Sequence, residues 1–294
     1  MTPITALLAE GFTLSVEMWP PRTVAAGERL AESLHRLQVL EPSFASITYG
    51  AAGSTRERTH ELVVELHEEG AIVPMAHLVC AAHRRSELVE ILSRYREAGI
   101  ENILALRGDP PLEATAELPQ GELHHAIELV DLAKEVGRFC VAVAAHPEGH
   151  PDATSLVEDR RHLATKLAHA DFGVTQFFFR IEDYLRLVDD LDHLGNVRPI
   201  IPGIMPITNV RTVTRMAELS GTAIPTEIVD RVNEVADEPE AVRRVGVEIA
   251  TELCARLLEE GVPGIHFYTM NQVSATLEIC ERLDLLPGGA RRGG

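Results

Sequence analysis

The stretch RRSELVEILSRYREAGIENILALRGDPP, residues 84–111, contains a pattern that recurs along the whole chain. Apolar residues recur every three to four positions up to Gly99, which predicts an amphipathic helix that ends at a glycine. The run NILAL (102–106) shows no polar alternation, as expected for a strand covered on both faces. Arg107 and Asp109 follow directly, so charged side chains lie where the strand ends. A helix, a buried strand and a polar strand end are the repeating unit of an α/β fold.

The same unit recurs along the chain. Further strand-like runs are FTLSVE (12–17), FASITY (44–49), IVPMAHLV (72–79), FCVAVAA (139–145), GVTQFFF (173–179), PIIPGI (199–204) and GIHFYT (264–269), and helical patterns lie between them. Eight such strands alternating with helices predict a parallel sheet closed into a (β/α)8 TIM barrel. An open doubly wound sheet is the alternative, but no glycine-rich phosphate-binding loop follows an early strand.

The chain shows no linker, internal repeat or low-complexity tract. We therefore predict one domain over residues 1–294, with a longer double-helical insert at about 210–260 before the last strand.

Composition excludes several classes of protein. The net charge is −18 and the basic residues are scattered, which argues against nucleic-acid binding. No apolar run is long enough to span a membrane, and the first residues lack a secretory signal, so we expect a cytoplasmic protein. The four cysteines form no C-x-x-C pair and predict neither disulfides nor a zinc cluster.

Polar side chains occur at nearly every predicted strand end. In a barrel these ends share one rim, where catalytic groups collect. Each residue alone has a structural interpretation, such as a helix cap or a surface pair, but their combination at one rim indicates a site. The residues are Glu17, Thr48, His77, Arg107, Asp109, His146, Glu148, His150, Gln176, Asn209 and Tyr268.

Glu17 is the strongest candidate for an acid. It lies in LSVEMWPP (14–21) between apolar neighbours, where burial would raise the pKa of its carboxyl group toward a value suited to proton donation. The structural alternative is an ion pair with Arg22.

A metal-dependent hydrolase is a second hypothesis. HPEGHP (146–151) places two histidines four positions apart, and the same rim holds His77, Glu17 and Asp109, all of which bind divalent metals in other proteins. The prolines within this stretch argue against the regular helix that would align the two imidazole rings.

Eight motifs resemble those of the methylenetetrahydrofolate reductase family, in the family's order and spacing over residues 12–284. They are SVEMWPPRT (15–23), SITYGAAGSTRERTH (46–60), AHLVC (76–80), LALRGDPP (104–111), VAAHPEGHP (143–151), TQFFF (175–179), IIPGIMPITN (200–209) and GIHFYTMN (264–271). The resemblance implies a (β/α)8 barrel and the NAD(P)H-dependent reduction of 5,10-methylenetetrahydrofolate to 5-methyltetrahydrofolate.

The resemblance also implies residue roles. Glu17 would protonate the folate nitrogen outside the pterin ring and open the five-membered ring to a 5-iminium cation, which accepts hydride. Asp109 would stabilise that cation electrostatically, and Gln176 would bind the pterin. The positions matching the cofactor cleft are Thr48, His77, Arg107, Gly108, His146, His150, Asp159 and Lys166. Those matching the substrate cleft are Gln176, Phe178, Asn209, Tyr268 and Gln272.

The resemblance implies FAD as the family's usual hydride carrier between a nicotinamide and the folate, but several positions depart from the family pattern around this flavin. The chain has His146 and His125 where tyrosines are common, Thr165 and Gln272 in place of arginines, and Val210 in place of a phenylalanine. Losing these stacking and charged contacts weakens FAD binding, because each contributes on the order of 1 kcal/mol. We therefore expect hydride transfer directly from NADH, or else loosely bound FAD, with the choice between NADH and NADPH and the oligomeric state left open.

Overall fold

The structure is a computed structural model that describes residues 2–50, 55–81, 83–108 and 121–289. Eight parallel strands close into a barrel in which each strand pairs with its neighbours in chain order and β8 pairs with β1. The predicted (β/α)8 barrel is confirmed, and the open doubly wound sheet is excluded because the sheet has no edge. The strands are β1 Thr13–Met18, β2 Phe44–Ile47, β3 Val73–Val79, β4 Asn102–Leu106, β5 Cys140–Ala145, β6 Phe172–Phe177, β7 Ile200–Ile204 and β8 Gly264–Tyr268.

Helices surround the barrel. They are α1 Ile4–Glu10, α2 Val24–Leu37, α3 Arg56–Glu69, α4 Arg85–Glu97, α5 Ala126–Val136, α6 Leu156–His169, α7 Ile181–His193, α8 Val210–Ser220, α9 Thr226–Asn233, α10 Pro239–Glu259 and α11 Ser274–Arg282. No helix in the described ranges is long and apolar enough to cross a membrane.

Alternate positions of each strand are buried on opposite faces, which explains the lack of polar alternation in the sequence. Leu14, Val16 and Met18 of β1 belong to the core between the sheet and the helices. Phe44 and Phe172 belong to the core inside the barrel, where their rings make an edge contact with centroids 6.4 Å apart.

Helix α1 covers the amino-terminal end of the barrel. Its first residue, Ile4, is fully buried and packs with the inner core. The Ile4 backbone N–H donates to Oδ1 of the buried Asn102 at 2.9 Å. We did not predict this helix from the sequence, although the mainly apolar segment ITALLAE (4–10) followed by Gly11 is its signal.

The segment between β7 and β8 is helical, as the sequence indicated, but it holds three helices, α8 to α10, rather than two. The acidic stretch at residues 237–240 runs into α10, with Glu238 as the N-cap residue and Pro239 as the first helical residue. A proline is favourable there because its missing N–H has no helical partner in any case.

Candidate active site

Glu17 lies on β1 near the carboxyl end of the barrel. It shares a face of the strand with Ser15, whose hydroxyl group contacts His266 inside the barrel, so Glu17 points into the barrel mouth. Its side chain is only 13% exposed. Burial raises the pKa of the carboxyl group to about 7, and a hydrogen bond donated by Nε1 of Trp19 to Oε1, at 3.0 Å, lowers it in part.

One buried histidine lies next to this carboxyl group, and a second lies one layer below it, opposite Ser15. Nε2 of His77, on β3, is 3.8 Å from Oε2 of Glu17. His266, on β8, interacts through Nδ1 with Ser15 Oγ at 2.8 Å and through Nε2 with Ser46 Oγ at 3.2 Å. Burial lowers the pKa of each imidazole to about 3, so both rings are neutral near pH 7. A neutral imidazole does not hold Glu17 in its ionised form.

Tyr268 is opposite Glu17 in the register between β8 and β1. Its hydroxyl group donates to the carbonyl of Thr175 at 2.6 Å, and its ring packs over Gly203, where any Cβ would be 2.6 Å from the ring. Burial, together with the negative charge of Glu17, raises the pKa of this phenol well above its usual value. Tyr268 therefore stays protonated near neutral pH. It lines the site as a neutral hydrogen-bonding residue and does not act as a base.

A second group of predicted residues follows β4 and β5. The rings of His146 and His150 make an edge contact with centroids 4.7 Å apart. Arg107 forms an ion pair with Asp152 at 2.8 Å. Burial is the main cause that lowers the pKa of His146 to about 3, with nearby cations acting in the same direction.

Lys166 and Asp159 belong to the same group and come from α6. Nζ of Lys166 donates to the carbonyl of Ala144 at 2.7 Å. Burial lowers the pKa of the Lys166 ammonium group to about 8, against the attraction of Asp159. The group thus combines two imidazole rings with a guanidinium and a partly desolvated ammonium, and a carboxylate opposes each cation: Asp152 pairs with Arg107, and Asp159 attracts Lys166.

Arg160 supports the loop that carries the two histidines. Its guanidinium is almost fully buried and donates to the carbonyls of His146 at 2.9 Å and Pro147 at 2.6 Å. It also pairs with Asp159 at 3.0 Å and with Asp190 at 3.3 Å.

Gly108 lies two residues after the end of β4 with φ +78°, and a Cβ there would lie 2.9 Å from Cβ of Val79. Only glycine tolerates both the left-handed conformation and the close approach. The predicted catalytic residue Asp109 follows it directly and lies outside the described residues.

Residues 4–284 match the family model described as Methylenetetrahydrofolate reductase. The chain belongs to the methylenetetrahydrofolate reductase family. The resemblance carried by the eight motifs is thereby confirmed, and membership places the chain among the oxidoreductases of folate metabolism.

Members of the family from bacteria and plants are similar over most of the chain. The 5,10-methylenetetrahydrofolate reductase of Pectobacterium carotovorum subsp. carotovorum is 38% identical over 95% of this chain and 92% of its own length. The Escherichia coli (strain K12) enzyme of the same name is 37% identical over 94% and 92%. Methylenetetrahydrofolate reductase (NADH) 1 of Zea mays is 35% identical over 92% of this chain but only 48% of its own.

A solved structure shares the fold at low sequence identity. An uncharacterized protein from Clostridium thermocellum that binds two copies of 5-methyl-5,6,7,8-tetrahydrofolic acid superposes with a TM-score of 0.66 at 15% identity. The match covers 96% of this chain and 99% of that one, and at this identity it shows the barrel fold alone.

Not all predicted site residues lie in the cleft. The structure corrects Phe178, which is buried and stacks on Tyr184 of α7, with ring centroids 5.8 Å apart, and so faces the helices. In a regular strand it would share a face with Gln176, but β6 ends at Phe177 and its register with β7 shifts between Val174 and Phe177. Phe177 is the phenylalanine of this motif that contacts Tyr268.

The remaining predicted residues lie at the rim and are half-buried or exposed. Gln176 is half-buried, and its Oε1 accepts from the Phe177 backbone N–H at 3.0 Å. Thr48 is half-buried just after β2, and its carbonyl accepts from Thr59 Oγ1 at 2.9 Å. Asn209 caps α8 through its side chain, and Gln272 is exposed in the loop after β8.

The metal-dependent alternative finds little support in the geometry. Within the described part of the chain, no three His, Cys, Asp or Glu side chains are grouped so as to hold a metal ion. Nδ1 of His150 accepts from the Asp152 backbone N–H at 3.1 Å, so one of its two ring nitrogens is already used within the loop. Family membership therefore decides between the two hypotheses.

Sequence reasoning missed Trp19, Asn271 and Arg160. The signal for Trp19 was visible, since it is the single tryptophan of the chain and follows Glu17 by two positions. Asn271 and Arg160 gave no signal in the sequence. Asn271 contacts Trp19, which lies 252 positions earlier, and Arg160 of α6 contacts backbone carbonyls of the loop before that helix.

Proposed function

We propose that this protein reduces 5,10-methylenetetrahydrofolate to 5-methyltetrahydrofolate, with Glu17 as the general acid and NADH as the hydride donor. The observation that carries the proposal is the buried carboxyl group of Glu17 at the carboxyl end of a barrel of this family, with a pKa of about 7. A carboxyl group with such a pKa is protonated in a substantial fraction of molecules at neutral pH and is still acidic enough to transfer its proton.

The acid step opens the folate ring. Glu17 donates its proton to the nitrogen outside the pterin ring, the bond from that nitrogen to the bridging methylene carbon breaks, and the methylene remains on the other nitrogen as an iminium cation. Hydride from NADH then adds to the iminium carbon and yields the methyl group. One proton and one hydride are consumed, and the carboxylate of Glu17 is reprotonated from solvent.

Other side chains of the rim bind and orient the folate. Gln176 and Tyr268 lie on β6 and β8, and the Tyr268 hydroxyl group is anchored on Thr175, next to Gln176. Asn209 and Gln272, from the loops after β7 and β8, complete the proposed folate contacts. Asp109 is proposed to stabilise the iminium cation by its negative charge.

The group of His146, His150, Arg107, Asp159 and Lys166 is proposed to hold the nicotinamide nucleotide, together with Thr48, His77 and Gly108. The name of the maize relative includes NADH, which supports this donor. FAD fits less well here. The chain has Thr165 where the family pattern has an arginine, and this residue is exposed on α6, where its hydroxyl group donates to the carbonyl of Arg161.

The proposal is tested by an anaerobic assay of NADH oxidation with methylenetetrahydrofolate, with and without added FAD. We expect turnover without FAD and no flavin absorbance in the purified protein. Glu17→Gln should reduce kcat by roughly a hundredfold or more, the usual contribution of a positioned acid. The matched control is Glu10→Gln, an exposed glutamate at the end of α1, at the other end of the barrel. Near wild-type turnover in Glu17→Gln would refute the role of the acid, and stoichiometric flavin would refute direct transfer.

A further inference from the structure

The backbone pairing of β1 with β8 ends at Glu17 and Tyr268. Beyond this pair, the side chain of Asn271 takes the place of the neighbouring strand. Oδ1 of Asn271 accepts from the backbone N–H of Trp19 at 2.8 Å, and Nδ2 of Asn271 donates to the carbonyl of Trp19 at 2.9 Å. A single amide side chain thus reproduces the two hydrogen bonds that a further strand residue would make. The position of Trp19 is therefore set by the loop after β8.

Asn271 is itself held firmly. Its backbone N–H donates to Thr269 Oγ1 at 3.1 Å, and its carbonyl accepts from Ser33 Oγ of α2 at 2.8 Å. Thr269 Oγ1 in turn donates to the carbonyl of Glu17 at 2.8 Å. Met270 and Asn271 have φ values of +50° and +62°. Asparagine adopts this left-handed conformation readily, but methionine does so rarely, and such strained residues persist where surrounding contacts enforce them.

Trp19 reaches back to the acid. Its Nε1–H donates to Oε1 of Glu17 at 3.0 Å, whereas Oε2 of Glu17 faces Nε2 of His77 at 3.8 Å. An indole N–H is only a donor, so Oε1 is an acceptor in both protonation states of the carboxyl group. The carbonyl oxygen of a protonated carboxyl group is a better acceptor than its hydroxyl oxygen, so this hydrogen bond favours the acidic proton on Oε2.

The other titratable groups that face Glu17 are His77 from β3 and Tyr268 from β8, with His266 one layer below. Burial lowers the pKa of both imidazoles to about 3 and raises the pKa of the phenol. These groups do not change charge near neutral pH. Among the residues that the structure describes, Trp19 donates the hydrogen bond that orients the carboxyl group.

We propose that Trp19 is a positioning residue that fixes the proton of Glu17 on Oε2, and that Asn271 holds Trp19 in the conformation this requires. The proposal deepens the proposed function and rests on it for the kinetic consequence, but the hydrogen bond is testable without substrate. Removal of the indole donor should raise the pKa of Glu17, because the bond favours the ionised form.

The first test uses intrinsic fluorescence. Trp19 is the only tryptophan, so the tryptophan emission of the substrate-free protein comes from this side chain alone. We expect a change in emission with a midpoint near pH 7, following the ionisation of Glu17, and its loss in Glu17→Gln. Emission that does not respond to pH, or an identical transition in Glu17→Gln, would overturn the proposal.

The second test separates positioning from folding. Asn271→Gly keeps the left-handed backbone accessible but removes the amide, and should shift Trp19 emission to longer wavelength and abolish its transition near pH 7. Asn196→Gly is the matched control, because the Asn196 amide likewise bonds N and O of a backbone residue, Arg198, but in the α7–β7 loop at the other end of the barrel. Its emission should equal that of the wild type. Equal emission and an unchanged transition in Asn271→Gly would refute the role of Asn271.

The third test is kinetic. Trp19→Phe keeps an aromatic ring without the donor, and we expect its plateau kcat to fall roughly tenfold while the alkaline limb of its kcat/KM profile moves up by about half a pH unit or more. A profile that superimposes on the wild type would refute the positioning role. If the wild-type protein shows the fluorescence transition but no reductase activity, the proposed function fails while the Trp19–Glu17 contact stands.

Discussion

Nε2 of His77 lies 3.8 Å from Oε2 of Glu17, although the two residues come from strands that are not neighbours in the barrel. At this distance an imidazolium would hold the carboxyl group in its ionised form. The imidazole is neutral instead, because burial lowers its pKa to about 3. Nε2 has no hydrogen-bond partner within the described part of the chain, so it is open to a polar atom of a bound ligand. Burial thus leaves Glu17 as an acid beside a neutral His77 whose Nε2 has no partner in the described part of the chain.

Glu17→Gln should stabilise the protein above neutral pH. The pKa of Glu17 rises from an ordinary 4.5 to about 7 on folding, so the folded state binds its proton more tightly than the unfolded state. Wild-type stability therefore falls as pH rises from about 4.5 to about 7, by a total on the order of 3 kcal/mol. We expect equal free energies of unfolding in urea for the two proteins near pH 4 and a more stable variant near pH 8. Glu10→Gln is the control and should show no such dependence, and a less stable Glu17→Gln at the higher pH would contradict a buried, uncompensated carboxylate.

Arg160→Lys should weaken nucleotide binding and the fold together. Lysine keeps the charge but cannot bond the carbonyls of His146 and Pro147 and the carboxylates of Asp159 and Asp190 at once. We expect a loss of about 2–4 kcal/mol in the free energy of unfolding and a several-fold increase in KM for NADH, with a smaller change in KM for the folate. The exposed neighbour provides the control, Arg161→Lys. Equal increases in both KM values would show that Arg160 supports the whole barrel and not specifically this loop.

The sequence was sufficient to predict the barrel because buried parallel strands lack polar alternation, and the eight predicted runs match the eight strands to within a few residues. It was also sufficient to place Glu17 and His77 at the rim, since strand ends of a barrel meet at one face. The apolar neighbours of Glu17 in the sequence were sufficient to predict that its carboxyl group is desolvated.

Contacts that depend on local irregularity were not predictable. The register shift between Val174 and Phe177 turns Phe178 toward α7, and nothing in the letters TQFFF signals it. The bond from Asn271 to Trp19 joins residues 252 positions apart and requires two consecutive left-handed residues. Sequence periodicity reports the face of a regular element, and it carries no information on such turns.

Gly246→Ala should destabilise the insert between β7 and β8. A Cβ at this position of α10 would overlap the carbonyl group of Ile207, so the helix must move away from the loop that follows β7. We expect a loss of about 2 kcal/mol or more in the free energy of unfolding, as for other overpacked sites. Gly27→Ala in α2 is the control, because there the nearest atom is Cγ of Pro21 at 3.9 Å and alanine favours the helix by roughly 0.5 kcal/mol. Similar effects of both substitutions on urea unfolding would contradict the close packing of α10.

Asn102→Ala should release α1 from the amino-terminal end of the barrel. The side chain of Asn102 is fully buried, accepts from the Ile4 N–H at 2.9 Å and donates to the carbonyl of Thr2 at 3.2 Å. Without it, a buried N–H and a carbonyl group lose their partners, at a cost of about 1–3 kcal/mol each when they stay buried. Since α1 has only seven residues, we expect it to detach and expose both groups to water.

Limited proteolysis should then cleave within residues 2–12 far faster than in the wild type, while activity changes less than twofold because Glu17 is at the opposite end of the barrel. The exposed Asn233→Ala is the control. Slow cleavage equal to the wild type would show that the apolar packing of Ile4 is sufficient to hold the helix.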